Sequence, residues 1–204
     1  MNLNRRSPGQ SKAGPRPNFD LREDLFLAGY RKIIGVDEVG RGAIAGPLVV
    51  AAVEIYEFLP GVRDSKLLTK AKRSSVVNQI HRFSLTTRFG VVNHDEIDAL
   101  GLTAAQKLAY ERAIDNLDAD LFLTDFVSLP QRKYIKAVKG DQLFYPVAAA
   151  SIVAKVYRDQ LMSVYAEAWP NYGWQQNVGY GTTSHRQAIQ NFGLSPLHRQ
   201  TFCQ

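Results

Sequence analysis

One cysteine, Cys203, is all the chain holds in 204 residues. It can form no internal bridge, which excludes a small disulfide scaffold and suits a reducing compartment such as the cytoplasm. Long apolar runs are missing too. The longest, from Ala43 to Val53, holds Gly46 and Pro47 and is too short to span a bilayer, so no membrane association is expected. The four histidines, His81, His94, His185 and His198, are scattered, with no HExxH and no C-x-x-C, so zinc is not expected. Neither a GxSxG elbow nor a GxxxxGK(S/T) loop occurs, which removes covalent serine chemistry and P-loop nucleotide binding. Acid is absent from the first eighteen residues. No apolar stretch follows the basic residues there, unlike a secretory signal.

What is present begins with charge. The net charge is +6, but Arg5, Arg6, Lys12 and Arg16 account for four of it, leaving +2 for the rest. Composition alone therefore identifies no partner. Residues 1–18, rich in Pro, Gly, Ser and Asn, read as a disordered basic arm. Residues 19–204 read as one domain, 45% hydrophobicity across the chain being enough for a core. A monomer is the default expectation.

Periodicity predicts strands from Ile33, over Leu48–Ile55, over Arg88–Val92, over Leu121–Thr124 and over Tyr134–Val138. Helices are predicted after a Thr69 cap, with Val76, Val77, Ile80 and Phe83 on one face, and over Asp95–Leu100. Another is expected behind a capping box of Thr103 with Gln106, burying Leu108, Ala109 and Ala113. The longest begins near Pro146 with a stripe from Ile152 to Ala168, and a small one over His185–Phe192 stops at Gly193. Strands first, then alternating strands and helices, imply an α/β layered domain with a mixed sheet.

Four acids fall at strand ends or just beyond: Asp37, Glu38, Asp125 and Asp141. Carboxylates gathered there repel one another until a cation relieves them, and hard oxygen donors suit Mg²⁺ or Mn²⁺. Spacing alone singles out none of them, because most acids are solvated or cap helices. Neighbouring strand residues also point to opposite faces, so Asp37 and Glu38 share a site only where the strand ends or bends. Gly40 and Gly42 serve either a tight turn or a close backbone approach to a sugar or phosphate. Tyr180, between Gly179 and Gly181, is a lid over the core or a stacking platform. Lys66, Lys139 and Lys155 are surface charges or phosphate ligands.

Gly35-Val36-Asp37-Glu38-Val39-Gly40-Arg41-Gly42, followed by Ala45-Gly46-Pro47, resembles the opening strand of ribonuclease HII. The likeness continues in register. Asp64-Ser65-Lys66-Leu67-Leu68 is similar to the family's DSKxL segment. Lys139-Gly140-Asp141, Ala148 to Val156, Gly179-Tyr180-Gly181-Thr182 and His198-Arg199-Gln200-Thr201-Phe202 follow in order. The blocks span roughly residues 32 to 204.

The resemblance implies a ribonuclease H-like fold: an antiparallel meander plus parallel strands, flanked by helices, with a helical C-terminal part over about 169–204. It implies an endonuclease acting on RNA–DNA hybrids and ribonucleotide-containing duplex DNA, cutting 5′ of the ribonucleotide by two-metal-ion catalysis. Mn²⁺ or Mg²⁺ would be the cofactor, and 3′-hydroxyl and 5′-phosphate the products. Asp37, Glu38, Asp125 and Asp141 would be the catalytic metal ligands. The backbone of Gly40, Arg41 and Gly42 would read the 2′-hydroxyl, and Tyr180 would stack on the adjoining deoxyribose. Ser65, Lys66, Ser151 and Lys155 would line the substrate groove. The pattern departs at Phe126, where the family commonly has glycine. Asp120 is expected to cap a strand start, and Asp159 to be structural, through Arg158 or backbone groups. A DNA-cutting nuclease on the same fold, or a non-catalytic nucleic-acid-binding module, is the alternative.

Overall fold

The computed structural model describes residues 20–62 and 68–203. The arm over 1–18, Ser65 and Lys66 lie outside them. Five strands form one sheet in the order β3-β2-β1-β4-β5. β1 (Ile33–Val39), β2 (Leu48–Ile55) and β3 (Ser84–Val92) run as an antiparallel meander. β4 (Leu121–Asp125) lies parallel to β1 on its other side, and β5 (Tyr134–Ala137) parallel to β4. This is the mixed sheet that the sequence predicts.

Helices cover both faces. α2 (Lys70–Phe83) and the first turns of α6 (Tyr145–Ala168) pack over Val49, Ala51, Val53 and Ile55. α4 (Leu102–Ile114) covers Ile34, Val36, Val50 and Ala52 on the other face. Each buried valine or isoleucine among these contributes about 1.5–3 kcal/mol. Two glycines bring the layers close. A Cβ at Gly35 would lie 2.0 Å from the Pro146 carbonyl carbon in α6, and one at Gly90 only 1.8 Å from the Ala109 oxygen in α4. α1 (Asp20–Leu27) was not foreseen; its Leu21 and Leu25 pack beside Ile33 and Leu123.

Local patterns misled in several places. β3 begins four residues before the predicted Arg88. α2 is capped by Thr69 as predicted, but Phe83 is exposed rather than buried. α4 starts at Leu102 with Gly101 as its cap, so no capping box forms at Thr103. Instead the box sits one helix earlier, at α3 (His94–Leu100), where the Glu96 carboxylate accepts from the Asn93 amide at 3.0 Å. In the second half of α6, Val164 and Ala168 face outward while Arg158, Asp159, Met162 and Ala166 are buried. Beyond Leu161 the helix packs against Tyr172 and Trp174 of the C-terminal segment, whereas Tyr157 still stacks on Phe89 of β3. That segment holds α7 (Trp174–Asn177) and α8 (Thr183–Phe192), which ends at Gly193 as expected. Among the described residues no helix is long and apolar enough to cross a membrane.

Candidate active site

The C-terminal ends of β1 and β4 lie side by side, because Val36 pairs with Thr124. The next residues, Asp37 and Asp125, therefore stand abreast on the face covered by α6. Ser151 of α6 hydrogen-bonds the Asp37 carboxylate. The Asp125 carboxylate accepts the Gly140 amide at 2.9 Å. Glu38 points to the opposite face, toward α4. There Gln106 Nε2 donates to Oε1 at 2.8 Å, and the Tyr110 hydroxyl donates to Oε2. Asp141 is buried in the one-turn helix α5 (Gly140–Leu143), not at the end of β5, which stops at Ala137.

All four acids nevertheless line one cavity of about 340 Å³, with Gly40, Arg41, Gly42, Ser151, Lys155 and Tyr180 completing its wall. Every predicted site residue within the described part of the chain is thus brought together.

Burial pushes the Asp37 carboxyl well above its ordinary range, and the Glu38 charge pushes it further. Glu38 is raised as well, first by burial, with Asp125 adding to it against the lowering pull of the Tyr110 hydrogen bond. Arg41 and Lys155 on the same wall offset the charge of the four acids only in part. The cluster's donors are all carboxylate oxygens, the chemistry that suits a hard divalent cation rather than zinc or copper. Among the described residues no three His, Cys, Asp or Glu side chains converge closely enough to close around one ion.

Sequence reasoning missed the groups that hold this wall in place. Gln106, read as a helix cap, reaches Glu38 instead. Asp159 pairs with Lys155 at 2.6 Å and lies 3.9 Å from Arg73, rather than anchoring Arg158. Arg158 donates to three backbone carbonyls, of Ala45, Pro47 and Val178. His185 and His198, thirteen residues apart, meet in the interior with Nε2 atoms 3.1 Å apart. The network fixes their tautomers. Ser195 N–H donates to His198 Nδ1, so His198 Nε2 carries a hydrogen and gives it to His185. His185 Nε2 also accepts from Trp174 Nε1, and its Nδ1–H donates to the Tyr180 carbonyl at 2.9 Å. Their ring positions in sequence carry no hint of this.

Phe126 does not crowd the site. Its φ of +59° is the left-handed conformation that glycine takes freely, and its ring is 67% exposed, pointing away from the cavity wall.

The ribonuclease HII family model matches residues 34–204. Ribonuclease HII of Synechococcus sp. (strain JA-3-3Ab) is 43% identical over 195 residues, covering 92% of this chain and 88% of that protein. The enzyme of Sulfurihydrogenibium sp. (strain YO3AOP1) is 38% identical, covering 90% and 95%. Among solved structures, the PCNA:RNase HII complex from Archaeoglobus fulgidus is similar with a TM-score of 0.73 at 25% identity, over 83% of this chain and 94% of that one. Bst-RNase HIII in complex with Mn²⁺ shares the fold with a TM-score of 0.61 at 21% identity, over 79% and 63%. With the acidic cavity at the ends of β1 and β4, these likenesses lead to one conclusion: the chain belongs to the ribonuclease HII family and is a hydrolase, a nuclease acting on the RNA of RNA–DNA hybrids.

Proposed function

We propose that the protein cuts on the 5′ side of ribonucleotides, both in RNA–DNA hybrids and singly embedded in duplex DNA, leaving a 3′-hydroxyl and a 5′-phosphate. The observation that carries this reading is the shared cavity. Four carboxylates form one part of its wall, and a glycine-flanked backbone turn with Tyr180 forms another.

Asp37, Glu38, Asp125 and Asp141 would hold two Mn²⁺ or Mg²⁺ ions. When bound, these would supply Lewis-acid stabilisation of the phosphate charge and acidify water at neutral pH. The chain's own groups set the stage. Ser151 fixes Asp37, the Gly140 amide fixes Asp125, and Gln106 with Tyr110 fixes both oxygens of Glu38. Arg41 lies close enough to favour the ionised form of Glu38, and its exposed side chain is placed to meet a phosphate. Gly42 has an ordinary φ, and a Cβ there would meet nothing within 4 Å. Neither backbone nor packing requires glycine at that point, whereas a sugar edge approaching the turn would. The half-buried ring of Tyr180 offers a flat face beside it. Residues 19–204 form the catalytic unit in this reading, working as a monomer in the cytoplasm, where Cys203 stays reduced.

Cleavage of a duplex with one embedded ribonucleotide, mapped to the nucleotide, tests the proposal. Cutting 5′ of the ribonucleotide with Mn²⁺ or Mg²⁺, none with chelator and none in D37A is the expected result. Comparable cutting of an all-DNA duplex would favour the DNA-nuclease alternative, and binding without cleavage the non-catalytic module.

A further inference from the structure

Two arginines lie behind the glycine turn, and neither belongs to an ion pair among the described residues. Arg158 and Arg199 are both fully buried. Burying a guanidinium without a carboxylate is costly unless other acceptors satisfy it. Here the acceptors are the carbonyls of the β1–β2 connection. Arg199 Nε donates to the Gly46 oxygen at 3.0 Å and Nη1 to the Arg41 oxygen at 3.1 Å, while its own amide donates to the Ile44 oxygen at 2.9 Å. Arg158 takes the Pro47 and Ala45 oxygens. Gly40, at φ +90°, leaves the room this requires, since a Cβ there would lie 2.2 Å from Arg158 Nε. Arg199 keeps Nη2 unpartnered, a buried donor that a choice made for stability alone would avoid.

The consequence lies in the peptide plane. No peptide bond here is cis, so the carbonyl of Arg41 and the amide hydrogen of Gly42 point in opposite directions. Drawing the carbonyl inward to Arg199 turns the Gly42 N–H outward. That amide has no acceptor among the described residues, and Gly42 is exposed on the cavity wall.

We propose that Arg199 is a positioning residue for sugar discrimination: by holding the Arg41 carbonyl, it aims the Gly42 amide at the ribose 2′-hydroxyl. This rests on the substrate reading above. Arg199 itself touches no substrate.

The test compares R199M and R199K in the full chain on two duplexes. One carries a single ribonucleotide, and the other a 2′-fluoro-2′-deoxynucleotide at the same place, similar in shape but a poor hydrogen-bond acceptor. In both variants kcat/KM on the ribonucleotide should fall about tenfold, as loss of one aimed hydrogen bond implies, with under about twofold change on the fluoro duplex. The preference for ribose then collapses. Equal losses on both duplexes would mark Arg199 as merely structural and overturn the proposal, as would an unchanged preference. Should R199M fail to fold, R199K decides alone, since it keeps the buried charge and loses the two-pronged fork. A wild-type protein that itself ignores the difference between the two sugars would sink the substrate reading, and this inference with it. A discriminating wild type with an equally discriminating variant would sink only the role of Arg199.

Discussion

Asp37 and Glu38 are consecutive in β1, yet Ser151 of α6 holds one on one face of the sheet and Tyr110 of α4 holds the other on the opposite face. The pair straddles the sheet, so the cavity at its lip draws on both layers of the fold. A carboxyl raised above its ordinary value of 3.8 contributes stability only while it is protonated. That contribution is full below pH 3.8 and is lost as pH rises through the folded value, so ionising Asp37 in the folded protein is a net cost. D37N should therefore lose at least about a hundredfold in activity while gaining roughly 1 kcal/mol of stability in chelator, a rise of about 2–4 °C in Tm. Thermal denaturation with and without Mn²⁺ checks this. The cation should raise the wild-type Tm and leave D37N nearly unmoved; a D37N protein less stable than wild type in chelator would contradict it.

Tyr110 is the second point of leverage. Its hydroxyl is pushed well above the ordinary range, first by burial and then by Glu38, so it stays protonated and donating. Y110F removes that donor and leaves Glu38 held by Gln106 alone. We expect about a tenfold loss in kcat/KM and a higher Mn²⁺ concentration for half-maximal activity. A metal titration that superimposes on wild type would show that Glu38 needs no such support.

The His185–His198 pair predicts an acid limit. His185 Nε2 already accepts two hydrogens, so protonating it destroys the network. Burial lowers both rings, His198 to about 4, with the His185 charge adding to its shift. A histidine lowered in the folded state contributes stability fully above its ordinary 6.5 and loses it as pH falls toward about 4. Urea unfolding from pH 7 to 4.5 should show a decline on the order of 2 kcal/mol that H198Q lacks. Parallel pH profiles for the two proteins would be the contrary result.

Phe126 carries a left-handed backbone without the benefit of glycine. F126G should keep activity and gain about 1 kcal/mol, because relief of strain exceeds the loss of an exposed ring. A marked loss of stability in denaturant titration would mean that the stacking of Lys136 over that ring, at 5.6 Å, matters more than the strain.

Much of this was legible in the chain. The sheet could be read because β-branched runs alternate with glycine-bounded turns, and the acids because five motifs stand in order around them. The supports were not. Gln106 sits where a capping box would place it, and nothing local reveals that its partner is 68 residues away. The α6 stripe misplaced Val164 because periodicity cannot say which neighbour a helix meets halfway along. Arg158 is expected only to anchor Asp159, and Arg199 only to belong to a motif; neither expectation reveals the carbonyls they bind.

The bridges Ala43–Tyr180 and Ala45–His198, with the bond from Arg199 to the Arg41 carbonyl, join stretches of chain 137 to 158 positions apart. During synthesis the acidic strand and its glycine turn emerge early, but their clamp is made some 150 residues later. A nascent chain stalled before Arg199 would already carry the β-meander and all four acids, while the glycine turn, proposed above to read the ribose, still lacked its backing. On that proposal, selectivity rather than the acidic cluster would be the last thing this polypeptide acquires.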